Sequence, residues 1–187
     1  MTLLGYNCEI LDNAKLSRYA VVILLPESLD LIVAPLRKRF DPDHNVIASH
    51  ITVVFPFTTD KPLDVVSDIV RHAADSVPPL TIQLDSIGDF YPAFPLIYWS
   101  VKRHNLLDHL YRTLYADLNL ALPHKYFNPH VTIAREISAH RVVLVKDQIA
   151  PYLFDDQLEA RSIDLVAPLA SGSWVSVRTF PLNGRSS

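Results

Sequence analysis

Two four-residue words, His50-Ile51-Thr52-Val53 and His130-Val131-Thr132-Ile133, recur 80 positions apart (130 − 50). Each sits inside an apolar, β-branched run, Val46 to Phe57 and Phe127 to Ile137. Branching at Cβ stiffens χ1 and favours extended backbone, so both runs read as strands. Side chains along a strand point alternately to opposite faces. Each His therefore shares a face with its Thr, and the apolar partners point the other way. A chain carrying two such strands must bury one face of its sheet and leave the other wet. With eight His and eight Thr in 187 residues, chance supplies roughly a third of one His-x-Thr match, so one occurrence means little. Two occurrences in matching contexts make a pattern.

If the two strands lie side by side, two imidazoles and two hydroxyls line one cleft. An imidazole has an unperturbed pKa near 6.5, so near neutral pH one ring can hold a proton while the other lacks it. That supplies a general acid and a general base from one residue type. Hydroxyls donate hydrogen bonds to anionic oxygens. The set suits proton-transfer chemistry on a phosphodiester, with His50, Thr52, His130 and Thr132 as the candidate catalytic groups.

The composition agrees with a globular domain: 49% hydrophobic and 20% charged residues. A chain of 187 residues can bury a sizeable core in one domain. The single Cys8 has no internal disulfide partner, which favours a reducing cytoplasm. Met1 to Leu16 lacks the basic start and apolar core of a signal peptide. No apolar run is long enough to span a bilayer, so no membrane is expected. Net charge is −3, and basic residues occur only in small groups such as Arg37-Lys38-Arg39 and Lys102-Arg103. Gripping a long duplex needs a basic face. A small substrate or a nucleic-acid terminus fits better. There is no His-Glu-x-x-His, no paired Cys and no carboxylate cluster, so no metal is expected. Only 4 Gly are present, with no Gly-rich phosphate loop, so ATP-coupled chemistry is disfavoured and no cofactor is expected. His72, His104, His109 and His140 fall in or beside helices, and His44 and His124 in turns.

Along the chain, Arg18 to Leu25 reads as a buried strand. Ser28 is placed to cap a helix to about Arg39, which Pro35 should kink or shorten. After the first motif strand, Asp60 and Pro62 open a helix with Leu63, Val66, Ile69, Val70 and Ala73 as its apolar stripe. Leu80 to Ile87 alternates as a half-buried strand, and Leu96 to Val101 follows a Pro- and aromatic-rich loop. Leu106 to Leu118 is helical by spacing. After the second motif strand, Ser138 is placed to cap a helix to about Ile149. Leu158 to Val166 and Trp174 to Phe180 close the chain as strands. Each half then reads strand, helix, motif strand, helix, strand. The pattern predicts one bilobal α+β domain over 1–187, a pseudo-two-fold duplication with the two motif strands as partners across the middle.

The paired motifs resemble those of the 2H phosphoesterase superfamily, and within it the 2′-5′ RNA ligase-like proteins, also described as RNA cyclic phosphodiesterases. The second motif, Asn128-Pro129-His130-Val131-Thr132-Ile133-Ala134-Arg135, is close to the family's Pro-His-Val-Thr-Leu-Ala-Arg form. The first, His50-Ile51-Thr52-Val53-Val54-Phe55-Pro56-Phe57, is similar to a His-x-Thr-x-x-Phe-Pro-Phe variant and departs from the ligase-type Phe-Leu-Gly ending. The resemblance implies two antiparallel sheets flanking a central cleft with helices outside. It implies metal-independent hydrolysis of a 2′,3′-cyclic phosphate on a nucleotide or RNA end, or of a 2′-5′ linkage. It also implies His50 as general acid and His130 as general base. The alternative is a binding module that holds a nucleotide or RNA end in the same cleft without turnover.

Arg135 is the best further phosphate ligand, because a guanidinium offers forked donors. Strict alternation puts it on the face opposite His130, so it meets the cleft only past a bulge or strand end. Otherwise it is a surface Arg paired with Glu136 or another acid. Phe57, Tyr91, Phe94 and Tyr126 are candidates to stack a base. A monomer is the expected state.

Overall fold

The computed structural model describes residues 16–124, 126–153 and 157–184; Cys8 lies outside them. Among the described residues eight strands and four α-helices are formed: β1 Ser17–Leu24, α1 Glu27–Phe40, β2 His50–Thr59, α2 Leu63–Asp75, β3 Leu80–Asp89, β4 Leu96–Val101, α3 Asn105–Asp117, β5 His130–Arg135, α4 Val142–Ile149, β6 Gln157–Ala160, β7 Ser162–Pro168 and β8 Trp174–Pro181. The strands make one antiparallel sheet in the order β6-β3-β4-β5-β2-β1-β7-β8. The fold is α+β, as the alternation of elements implies.

The middle of the sheet carries the expected symmetry. β1-α1-β2 and β4-α3-β5 are equivalent units, and their motif strands β2 and β5 meet at the centre. They are joined through one register pair, Ile51 with Val131. The two four-stranded flanks on either side of this seam correspond to the two sheets implied by resemblance. The halves of the chain are not the flanks, however. β3 follows the first unit but pairs with β4, and β7 follows the second but pairs with β1. Each unit sends its third strand to the other's side.

The buried face of the sheet holds Ile51, Val53, Val131, Ile133, Trp99, Ile163 and Leu165, all essentially inaccessible. The helices lay their apolar stripes on it: Leu29, Val33 and Leu36 of α1, Val66, Val70 and Ala73 of α2, Leu107, Leu110 and Leu114 of α3, Val145 and Ile149 of α4. The opposite face carries a separate small cluster, Ala20, Val22 and Val166 with Leu24, Ile47 and Trp174 packed on it.

Four local expectations change. α1 starts at Glu27, straight after Pro26, and Ser28 makes no capping bond. Proline's fixed φ pre-sets the first turn without a side-chain cap. The helix continues for 14 residues through Pro35, because its buried stripe is satisfied on both sides of it. The segment after Ser138 opens with a 3₁₀ turn, Ala139–Arg141, before α4. The expected strand Leu158 to Val166 is two strands broken at Arg161. β6 pairs with β3 at one edge of the sheet, and β7 pairs with β1 near the other. Laid flat, six strand spacings would separate them by about 28 Å. One residue spans at most ~3.6 Å. The sheet therefore curls until its two flanks meet at Arg161, where the Leu182 N–H also donates to the Arg161 carbonyl at 2.9 Å.

Candidate active site

His50 and Thr52 leave β2 on the face opposite Ile51 and Val53, and all four follow the alternation. His130 and Thr132 do the same on β5 against Val131 and Ile133. All four polar residues are half-buried. The antiparallel register through Ile51 and Val131 sets His50 beside Thr132 and Thr52 beside His130. Two imidazoles and two hydroxyls thus form a crossed square at the seam, on the face free of helices.

The two rings are held identically. His50 Nδ1 lies 2.7 Å from the Ala48 carbonyl oxygen, and His130 Nδ1 lies 2.8 Å from that of Asn128. A carbonyl only accepts, so each Nδ1 carries the proton and donates. Each neutral ring then presents Nε2 as its unprotonated nitrogen. Burial pushes the His50 pKa down from 6.5 to about 4, partly opposed by the bond to Ala48, with the charges of Arg37, Arg135 and His130 adding to the depression. His130 is lowered too, first by burial and then by Arg135, against the bond to Asn128. Both rings feel Arg135, and His50 feels His130.

Arg135 reaches this face through a bulge. Thr132 pairs with Tyr98 but Ala134 pairs with Ile97, so Ile133 is an extra residue in β5. Ile133 and Ala134 are both buried, and Arg135 returns to the side of Thr132. There its guanidinium meets Asp43 at 3.4 Å and Asp41 at 3.7 Å. Both conditions of the sequence reading hold at once: Arg135 lies past a bulge and is paired with acids, though not with Glu136.

Asp41 was not expected at the site. It is buried with Arg37, which donates from Nε and Nη2 to the same carboxylate oxygen at 3.2 and 3.1 Å. Arg37 also donates to the Ile47 carbonyl at 2.9 Å. The Arg37–Asp41 pair therefore braces residues 41–49, the segment whose Ala48 carbonyl orients His50. A cavity of about 780 Å³ opens beside α1 and this segment, lined by Glu27, Asp30, Lys38 and His44 among others; neither motif imidazole lines it.

The aromatic expectations are partly corrected. Phe57 is only 9% exposed and packs on Tyr19 in the core. The two register shifts each add one residue to β2 relative to β1, and together they restore the parity of Ile51 and Val53, which puts Phe57 on the buried face. It does not face the cleft. Tyr91 and Phe94 are exposed in the loop after β3, and Tyr126 is exposed before β5. The rings that touch the site are Tyr98 and Phe90, neither of them singled out from the sequence. Tyr98 lies 5.0 Å and Phe90 5.2 Å from the His130 ring, centroid to centroid, and they lie 4.5 Å from each other. Parity was the available signal for Tyr98: it alternates with Ile97 and Trp99, both core residues.

Among the described residues, no group of three or more His, Cys, Asp and Glu is arranged to hold a metal ion, and no helix is long and apolar enough to cross a membrane.

Comparison with known proteins places this arrangement. The family model described as the 2′-5′ RNA ligase superfamily matches residues 25–167. A Bacillus pumilus protein named "Putative phosphoesterase" is 30% identical over 166 residues, covering 88% of this chain and 97% of the relative. A Geobacillus kaustophilus protein of the same name is 28% identical over 169 residues, covering 90% and 98%. In fold, the chain is similar to Escherichia coli LigT crystallised with 3′-AMP, with a TM-score of 0.66 at 16% identity, covering 90% of this chain and 99% of LigT. It is also similar to a Thermus thermophilus protein, with a TM-score of 0.65 at 19% identity, covering 90% and 100%. With its paired histidines on the two central strands and a family match across most of its length, the chain belongs to the 2′-5′ RNA ligase superfamily of 2H phosphoesterases.

Proposed function

We propose that this chain is a metal-independent hydrolase of cyclic nucleotide phosphodiesters, acting on a 2′,3′-cyclic phosphate of a nucleotide or RNA end. One observation carries the reading: both imidazoles are anchored through Nδ1 to a carbonyl two residues upstream, which leaves both Nε2 atoms for proton transfer. A protein that only binds has no need of two such groups. A water attacks phosphorus and passes its proton to the neutral imidazole. The bond from phosphorus to one ribose oxygen breaks, and the protonated imidazole gives that oxygen its proton. The product is a ribose phosphomonoester. Following the family resemblance, His130 is the base and His50 the acid. The bound phosphodiester supplies the negative charge that lets a ring with a depressed pKa hold its proton. Thr52, Thr132 and Arg135 donate to the non-bridging oxygens, where charge builds in the transition state. The 3′-AMP held by the structural neighbour LigT is a phosphomonoester of this class and supports the reading.

The test is an assay in EDTA against 2′,3′-cyclic nucleotides, 2′-5′ dinucleotides and RNA ending in a cyclic phosphate. Phosphomonoester formation from a cyclic substrate is expected, unaffected by the chelator. Tight binding of these compounds without turnover would reassign the cleft to a binding module. Activity lost in EDTA and restored by a divalent ion would overturn the metal-free mechanism.

A further inference from the structure

The carbonyls that hold the two imidazoles belong to residues outside the strands, and the two halves of the fold fix them differently. On each side the ladder runs one step past the motif. The Leu25 N–H donates to the Ser49 carbonyl at 3.0 Å, and the Val101 N–H donates to the Pro129 carbonyl at 2.9 Å. One residue further out stand Ala48 and Asn128, the acceptors for His50 and His130. Beyond those stand Ile47 and Phe127. Phe127 is buried and stacks on Tyr111 of α3, with ring centroids 4.3 Å apart and planes 8° from parallel. That stack anchors the segment before His130 in the core. Ile47 turns the other way and packs on the opposite face of the sheet, against the small cluster of Ala20, Val22 and Val166.

Arg37 supplies the anchor on the core side. It leaves α1, the counterpart of α3, and is only 3% exposed. Its Nη1 donates to the Ile47 carbonyl at 2.9 Å and to Ser49 Oγ at 3.5 Å. One nitrogen thus holds the residues on both sides of Ala48. Nε and Nη2 are spent on Asp41, whose other carboxylate oxygen accepts the Asp43 N–H at 3.0 Å. The guanidinium therefore ties the end of α1 to the far end of the loop that leads into β2. Burying such an ion pair gains little over apolar side chains of the same volume. What the planar fork adds is direction: it fixes residues 47 and 49, and with them the carbonyl between.

We propose that Arg37 is a positioning residue for His50: by fixing Ala48 it keeps the ring proton of His50 on Nδ1 and leaves Nε2 for proton transfer. The inference rests on the reading of His50 as an acid–base group and adds to it a residue that acts through the backbone. The tautomer matters because an imidazole in water carries its proton mainly on Nε2, and an acceptor at Nδ1 reverses that choice. When His50 gives its Nε2 proton to the departing ribose oxygen, it is left as the neutral ring protonated on Nδ1. That is the form the Ala48 carbonyl stabilises. The charged and titratable groups that act on this ring are Arg37 from α1 and Arg135 and His130 from β5. A lysine at position 37 preserves the charge and removes only the fork, so geometry and electrostatics can be separated.

Long-range ¹H–¹⁵N correlation spectra at neutral pH read the tautomer of each histidine without any substrate. In the wild type both His50 and His130 are expected to carry the proton on Nδ1. Arg37→Lys keeps a cation beside Asp41 but cannot span Asp41 and Ile47 with a rigid fork. It should move His50 largely to the Nε2-protonated tautomer and leave His130 unchanged, which makes the second ring an internal control for the fold. On a 2′,3′-cyclic nucleotide kcat should fall roughly ten- to a hundredfold with KM nearly constant, the cost of a misplaced reacting group. Arg39→Lys, two residues along the same helix on its exposed side, should change neither spectrum nor rate. If Arg37→Lys does not fold, the double variant Arg37→Met/Asp41→Leu removes both buried charges together and leaves neither alone. It should show the same change at His50. A His50 ring still protonated on Nδ1 in either folded variant, or an equal change in both rings, would overturn the proposal. Failure of the wild type to turn over any cyclic substrate would instead sink the hydrolase reading, with the tautomers still readable.

Discussion

At the scale of single residues, the site is defined by what each imidazole does with its Nδ1. Because His50 and His130 both spend that nitrogen on a backbone carbonyl, each has one nitrogen left for chemistry. His50→Ala and His130→Ala are each expected to lower kcat by ~10²–10⁴ on a 2′,3′-cyclic nucleotide, the usual worth of a proton-transfer group. Thr52→Ala and Thr132→Ala should cost less, because water can replace a hydroxyl donor. All four should keep the wild-type circular dichroism spectrum, since none is part of the buried face. The depressed pKa values give two further signs. Between about 4 and 6.5 the unfolded chain takes up a proton that folded His50 refuses, so stability falls as pH falls through that window. The loss from His50 is about 3 kcal/mol once the pH is below 4. Urea midpoints at pH 7 and 4.5 should therefore drop further for the wild type than for His50→Asn. For activity, the empty cleft at pH 7 holds two neutral rings where catalysis needs one charged. The profile of kcat/KM, which reports the free enzyme, should rise below pH 7 to an optimum under 6.5 and fall when both rings protonate. An optimum above pH 7.5 would contradict these assignments.

At the scale of elements, irregularities in the strands aim the side chains that alternation alone would misplace. The extra residue Ile133 turns Arg135 to the cleft, and β5 ends there, before Glu136, whose φ of +54° leaves the extended region. On the neighbouring strands, Gly88 pairs with Tyr98. A Cβ on Gly88 would lie 2.5 Å from Tyr98 Oη and 2.7 Å from Cε2, far inside contact distance. The missing side chain is what lets the Tyr98 ring lie down on β3 and against His130. Gly88→Ala should therefore displace Tyr98, cost ~1–3 kcal/mol by overpacking, and lower kcat while a Tyr98→Phe variant stays closer to wild type. Thermal melts paired with kinetics would check this; an unchanged kcat in Gly88→Ala would show that the ring does not position His130. Most elements were legible from periodicity, because each apolar stripe or alternating run reports directly which face is buried. The bulge, the prolyl start of α1 and the break at Arg161 were not. Each depends on which strand or helix lies alongside, and no local pattern records that.

At the scale of the molecule, the curl of the sheet joins its two flanks twice, at the β2–β5 seam and at Arg161. The large core cluster runs from Tyr19 to Leu182 and takes residues from all four helices. We expect the chain to unfold as one cooperative unit on that account. Its two tryptophans test this, because Trp99 is buried in β4 on one flank and Trp174 opens β8 on the other. Single-tryptophan variants, Trp99→Phe and Trp174→Phe, should give fluorescence transitions that coincide with each other's circular dichroism in urea. Two separated midpoints would mean that the flanks are separate folding units.

Local chemistry alone determined the motif strands, their polar and apolar faces, the stripes of the helices and the four polar groups that meet at the β2–β5 seam. Period-two alternation follows from strand geometry and needs no neighbour to enforce it. Tertiary structure decided what lies next to what. It set β2 against β5, so that His50 meets Thr132 and not its own partner. It sent β3 and β7 to the opposite units. It brought Asp41, Tyr98 and Phe90 to the histidines from distant positions in the chain. Such placements follow from strand pairing and from packing across the whole core, where the free energy belongs to the ensemble of contacts and not to any one segment.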